Sequence, residues 1–410
     1  MGAYRDLRAV MVVAALAATS AAAGPVSDPR QGDGRVSAFY SWDAALPAPG
    51  TLLRSEPLDA TVGLPGAGRQ LRLLYSSTEG VTGEGAIAVS GALFFPAGDP
   101  PPGGWPLIAW AHGTMGVADF CAPSWHGRSY RDIAFLQHWL QAGFAIVASD
   151  YQGLGTPGPH PYVMARPLAY GVLDSIRAVR GMAGLSGQVV VVGQSQGGRA
   201  AFAAGVYQPA YAPDVKIAGI VAMGTPSSVG GAIANAARAP DQDKVNPAIS
   251  NLLYAILMAE QLDPTLRPDE VLTGKAQPLL EHARGTCIAR LWNDVRAAGL
   301  SAANTLQPGG VQRLAAIVGK KADYPSLRVP VPLFMAIGSE DEEVAPAAQL
   351  QLARDACAAG STVEAHLYQG ASHSGAVDRS VPDSSRFIAK VLRGEAVAAV
   401  CAPVPQGPAD

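Results

Sequence analysis

One stretch of this sequence limits the possible folds more than any other. Gln188-Val189-Val190-Val191-Val192 runs straight into Gly193-Gln194-Ser195-Gln196-Gly197, and Gly198-Arg199-Ala200-Ala201 follows. The four valines read as a buried strand, and residues 198–207 carry a helical pattern. A chain that passes from strand to helix within five residues must turn sharply. Such a turn strains the backbone of its middle residue and lifts that side chain above the sheet. Gly193 and Gly197, two residues to either side, leave room for it. In a chain with 46 glycines the motif alone is a weak signal, and its place between strand and helix makes it specific. Ser195 is therefore the candidate nucleophile. The N–H of Gln196, at the helix N-terminus, points to where charge would collect on an attacked carbonyl oxygen.

The surrounding chain has a matching rhythm. Residues 69–75 and 85–95 read as an antiparallel start to a sheet, and 106–111 as a short strand ending at His112-Gly113-Thr114. A helix over 130–141, a strand over 144–149 and a helix over 168–182 lead to the serine strand, and 216–223 is a further buried strand. Strands alternating with helices predict an α/β fold, a mostly parallel sheet with helices on both faces. The rhythm breaks over 226–326, which has helical patterns only. There Ile249, Leu252, Leu253, Ile256 and Leu257 share one helix face, and the position of this insertion reads as a helical cap over an acyl-binding site. Sheet and helix resume over 327–401, with strands at 331–337 and 362–368 and helices at 346–358 and 384–392. Residues 24–68 read as an irregular N-terminal arm and 402–410 as a flexible tail.

A serine needs a base, and the chain has seven histidines. His112 stands at a strand end beside the presumed oxyanion loop, a structural position. His126, His138, His160 and His282 fall too early in chain order, and His366 lies within a strand. His373, in Gly370-Ala371-Ser372-His373-Ser374-Gly375, follows the last strand and can reach back over the sheet. The base needs a carboxylate to hold its tautomer. Of Glu340, Asp341, Glu342 and Glu343, Asp341 has the best spacing after Gly338, with Glu340 second. The order Ser195, Asp341, His373 is that of the strand–elbow–helix hydrolases. A second oxyanion N–H should come from Thr114, with Met115 as the alternative.

Other features bound the setting. Arg5 and Arg8, the apolar run 9–18 and Ser20-Ala21-Ala22-Ala23 have the layout of an export signal over residues 1–23. The run is shorter than the roughly 20 residues a membrane span needs, and no later segment reads as one. The formal net charge of −3, with no basic cluster, argues against nucleic acid. Cys121, Cys287, Cys357 and Cys401 suit two disulfides in an oxidising compartment, with three connectivities open. Their spacing is wrong for a metal site, and the chemistry calls for no cofactor.

His112-Gly113-Thr114, Cys121-Ala122-Pro123-Ser124, the elbow, Ser149-Asp150-Tyr151-Gln152-Gly153-Leu154-Gly155, the cap and the acid and histidine loops together resemble the secretory lipase family, the Candida antarctica lipase A-like enzymes. The resemblance covers residues 94–392. It implies an α/β-hydrolase fold with a helical lid, hydrolysis of carboxylic esters or triacylglycerols, and a triad of Ser195, Asp341 and His373. It also implies disulfides Cys121–Cys287 and Cys357–Cys401, an ester or lipid substrate, and a secreted protein, extracellular or periplasmic. The His-Gly-Thr loop departs from the fungal members. An amidase or peptidase, an acyltransferase and a catalytically inactive binding protein are the alternatives on the same fold.

Overall fold

The computed structural model describes residues 25–236, 241–319 and 321–406; the expected export signal lies outside them. Valine-rich and alanine-rich runs pair into a ten-stranded sheet in the order β1-β2-β3-β5-β4-β6-β7-β8-β9-β10. The strands are β1 (Leu52–Pro57), β2 (Arg69–Thr78), β3 (Ala86–Phe95), β4 (Trp105–Ala111), β5 (Ala145–Ser149), β6 (Leu185–Gln194), β7 (Ile217–Met223), β8 (Leu333–Gly338), β9 (Val363–Tyr368) and β10 (Pro405–Gln406). The first three are antiparallel, β3 meets β5 antiparallel, and all later pairings are parallel. This is the α/β-hydrolase architecture.

The helices are α1 (Pro123–His126), α2 (Tyr130–Gln141), α3 (Ala165–Val179), α4 (Gln196–Tyr211), α5 (Val229–Ala236), α6 (Ile249–Leu262), α7 (Pro268–Val271), α8 (Gln277–Ala283), α9 (Ile288–Ala297), α10 (Ala302–Thr305), α11 (Gly310–Val318), α12 (Pro346–Ala358) and α13 (Gly375–Leu392). Because strand side chains alternate between faces, Leu107, Ala109, Val189 and Val191 enter one core with α3, α4 and α12. Ile108, Trp110, Val190 and Val192 enter another with α2 and α13. A third core joins α6 to α8, α9 and α11, which lie between β7 and β8 in the chain, and includes Tyr162, Val163 and Met164. Among the described residues, no helix is long and apolar enough to cross a membrane.

The chain leaves β4 toward β5 and leaves β6 toward β7, in opposite directions. The carboxyl ends of β4 and β6 thus flank the point where an open α/β sheet places its ligand crevice.

Three expectations need correction. The arm is not irregular throughout: β1 pairs with β2 along an edge, Leu52 opposite Tyr75. Only Leu52 and Leu53 give it an apolar signal, and Ser55 faces solvent, so the sequence pattern is faint. Within the expected flexible tail, Pro405 and Gln406 form β10 beside Leu367 and Tyr368. The Cys357–Cys401 disulfide fixes the chain there, overriding a composition that favours disorder. Finally, α13 begins nine residues before position 384, running through Pro382, a residue that ordinarily breaks a helix. The other disulfide joins Cys121 to Cys287, so both pairings are those the resemblance implies.

Candidate active site

Ser195 follows β6 and caps α4 with φ 59° and ψ −120°, a left-handed backbone for a residue that has a side chain. Its N–H donates to the Met223 carbonyl at 2.8 Å, which pins the strained turn to β7. The flanking glycines are sterically required. A Cβ on Gly193 would lie 2.0 Å from the Gly197 carbonyl oxygen, and one on Gly197 would lie 1.8 Å from that of Ala111.

Asp341 and His373 come together from the loops after β8 and β9. Nδ1–H of His373 donates to Oδ2 of Asp341 at 2.7 Å, and both residues are buried. Oδ1 of Asp341 accepts the N–H groups of Glu343 and Val344 at 2.9 and 2.8 Å. Gln349, buried in the first turn of α12, donates to Oδ2 at 2.8 Å. Glu340, Glu342 and Glu343 are exposed, so burial separates Asp341 from its acidic neighbours. Nε2 of His373 is buried and has no hydrogen-bond partner, Ser195 included. The Glu343 carboxylate lies 3.9 Å from it. Catalytic hydrogen bonds are often loose until a substrate is bound.

The loop after β4 passes beside the serine: a Cβ on Gly113 would lie 3.6 Å from Ser195 Cβ. Thr114 Oγ1 shares a hydrogen bond with the Tyr162 hydroxyl at 2.8 Å, and the Met115 carbonyl accepts from Ile288 N at 2.8 Å. Gln196 is the first residue of α4, where N–H groups have no partner within the helix. The Ser149-Asp150 motif anchors this region. Asp150 accepts from Ser90 Oγ at 2.7 Å and from Ser124 through both its N–H and its hydroxyl. Burial pushes its carboxyl up.

Four of the other histidines make other contacts. His112 is buried, with Nδ1 2.7 Å from the Gly113 carbonyl, and burial pushes it down to about 4. His366 bonds Glu364 at 3.1 Å on β9, His138 meets Ser385, and His282 meets Asp294. A cavity of about 950 Å³ opens above the elbow, within the usual range for small-molecule sites. Ser195, Gln196 and Asp341 line it, together with Val229, Ile233, Ile249 and Leu252 of α5 and α6, and Val344 and Leu352.

Residues 129–398 match the sequence profile of the secretory lipase family. The chain belongs to that family. Membership makes it a carboxylic-ester hydrolase of the lipase and esterase class. The fold of this secretory lipase is shared by Candida antarctica lipase A in its closed state, with a TM-score of 0.71, 21% identity, and coverage of 94% of this chain and 91% of that one. A putative hydrolase of Legionella pneumophila has a TM-score of 0.70 and 18% identity, over 84% and 99% of the two chains. The rice cell wall degrading esterase of Xanthomonas oryzae has 0.65 and 21%, over 84% and 98%. No curated protein sequence matches the chain.

Reading the sequence missed Gln349, Gly224 and His160. Gly224 has φ 58°, and a Cβ there would lie 2.7 Å from His373 Cε1. It ends a parallel strand on the side where this fold places its ligands, which was the available signal. Gln349, eight residues past Asp341, left no sequence signal.

Proposed function

We propose that this secretory lipase is exported and hydrolyses ester or lipid substrates through an acyl-enzyme on Ser195. The observation that carries the reading is the buried Asp341–His373 hydrogen bond of 2.7 Å, with Nε2 of the same imidazole unpartnered and Ser195 on a strained elbow in the adjoining cavity. Nε2 takes the Ser195 proton as Oγ bonds to the ester carbonyl carbon. The N–H groups of Gln196 and Thr114 hold the oxyanion. As the tetrahedral adduct collapses, the C–O bond to the alcohol breaks and Nε2 returns the proton to the leaving oxygen. Water then gives a proton to Nε2, attacks the acyl carbon and releases the carboxylic acid, while Ser195 Oγ regains its proton. Asp341 stays ionised and holds the imidazolium.

The apolar residues of α5 and α6 along the cavity suit an acyl chain. The basic, apolar and small-residue order of residues 1–23 and the two disulfides support export to an oxidising compartment. The deciding experiment is a fluorophosphonate label with peptide mapping, alongside p-nitrophenyl esters of two to eighteen carbons. Label on Ser195, and loss of turnover by about 10⁴–10⁶ in Ser195→Ala, is expected. Turnover in that variant within tenfold of wild type would overturn the reading.

A further inference from the structure

One short segment touches both residues assigned to the oxyanion. It runs from His160 to Val163, between β5 and α3. The His160 ring is 1% exposed, and its Nδ1 faces the Gln152 carbonyl at 2.7 Å. Nδ1 therefore carries the proton, and Nε2 is left as an acceptor. That acceptor meets Nε2 of the Gln196 side chain at 2.8 Å. Two residues on, the Tyr162 hydroxyl bonds Thr114 Oγ1 at 2.8 Å. The two residues assigned to the oxyanion are thus gripped by their side chains from a single stretch of backbone.

The stretch itself is held under strain. Val163 has φ 53°, an outlying conformation for a β-branched residue, and such strain persists only where the surroundings enforce it. The enforcing group is Arg199, fully buried on α4, four residues past the serine. Its Nε donates to the Val163 carbonyl at 2.7 Å, and its Nη2 to the Ala322 carbonyl at 2.7 Å and to Asp323 at 2.9 Å. On its other side the segment is tied to α6. Gln261 donates to the His160 carbonyl at 3.0 Å, and the Tyr254 ring meets that of Tyr162 edge-on with centroids 5.6 Å apart.

We infer that His160 and Tyr162 are positioning residues that set the two oxyanion donors, Gln196 and Thr114, and that they do so from a segment anchored on α4 and α6. The inference rests on the oxyanion roles proposed above. A donor set in this way acts on the tetrahedral intermediate more than on the bound ester, so its loss falls on turnover and not on substrate binding.

The test uses the full-length enzyme with Tyr162→Phe, which deletes one oxygen, and Gln196→Met, which keeps shape but removes the amide donor. Turnover is expressed per active site by titration with a fluorophosphonate, so that misfolded molecules do not count. Each variant is expected to lose about ten- to hundredfold in kcat with KM within about threefold. Affinity for a trifluoromethyl ketone, which forms a tetrahedral oxyanion on serine, should fall in parallel. His160→Leu should match Gln196→Met, and the two together should be no worse than either. If Tyr162→Phe folds poorly, Thr114→Val removes the same bond from the other side. Per-site kcat and ketone affinity within about twofold of wild type in these variants would overturn the inference. An unlabelled, inactive wild type would instead overturn the reading of Ser195.

Discussion

Gln349 donates to Oδ2 of Asp341 at 2.8 Å, the same oxygen that receives Nδ1–H of His373 at 2.7 Å. The same amide nitrogen also donates to the Val344 carbonyl at 2.7 Å, closing the acid loop around the carboxylate. The Asp341 carboxylate is thus held by the Gln349 side chain as well as by His373. Gln349→Leu should leave a buried carboxylate short of one partner, at a cost of about 1–3 kcal/mol in stability. As the carboxylate turns, His373 loses its fixed orientation, and kcat should fall about tenfold or more while KM holds. Urea unfolding beside kcat and KM checks both halves. A stability loss with unchanged kcat would confine Gln349 to packing.

Gly224 leaves the room that the imidazole occupies. Its φ of 58° already favours glycine, and an added Cβ would lie 2.7 Å from Cε1 and 2.9 Å from Nδ1 of His373. Gly224→Ala should push the ring off its line to Asp341 and lower kcat by about a hundredfold. Left-handed backbone at alanine adds a cost of about 1–3 kcal/mol. The protein should still unfold cooperatively but label slowly with a fluorophosphonate. Labelling at the wild-type rate would mean that the ring is not held where Gly224 admits it.

The parts legible in the sequence were those that depend on local pattern. Val189–Val192 announces a strand, the two flanking glycines announce the elbow, and chain order selects His373 from seven histidines. The choice of Asp341 over Glu340 rested on spacing; in the structure Asp341 alone of the four acids is buried. What stayed hidden depends on contacts between distant segments. His160 fell outside the expected chain order for a base, yet it bonds Gln196, 36 positions away. The last helix was expected only from position 384, but it starts at Gly375 and runs through Pro382. The edge strand β1 and the short β10 draw their order from β2 and from a disulfide, and neither can be seen in their own few residues.

The two disulfides should separate in their effects. Cys121–Cys287 closes 166 residues and ties the loop after β4 to the cap position of α9, where Ile288 N also bonds the Met115 carbonyl. Cys357–Cys401 closes 44 residues and holds the tail on β9. Loop length alone favours the first by about 1 kcal/mol, and removing either should cost about 2–5 kcal/mol. Cys121→Ser with Cys287→Ser should lower both stability and kcat, because Thr114 lies on the released loop. Cys357→Ser with Cys401→Ser should lower stability only. Melting curves and per-site kcat for the two double variants distinguish the cases, and equal kcat losses would contradict the assignment.

The N-terminal arm is latched by a carboxyl that stability measurements across pH should reveal. Asp119, in the loop after β4, is 2% exposed. Its Oδ2 accepts the Gly34 N–H at 2.8 Å, and the backbone N–H of Gly155 also bonds the carboxyl. Burial foremost, with the nearby Asp33 charge adding to it, pushes the Asp119 carboxyl up to about 8. In the unfolded chain the same group titrates near 3.8. Between these values the folded protein keeps a proton that the unfolded chain has lost, so this group's contribution falls as pH rises through that window and is most unfavourable above it. Asp119→Asn keeps the acceptor for Gly34 and carries no charge at any pH. Its stability relative to wild type should therefore climb steadily from pH 4 to pH 9, reaching on the order of a few kcal/mol. Urea unfolding of both proteins at pH 5, 7 and 9 checks this. A difference that stays constant across the series would show that Asp119 ionises normally in the folded protein.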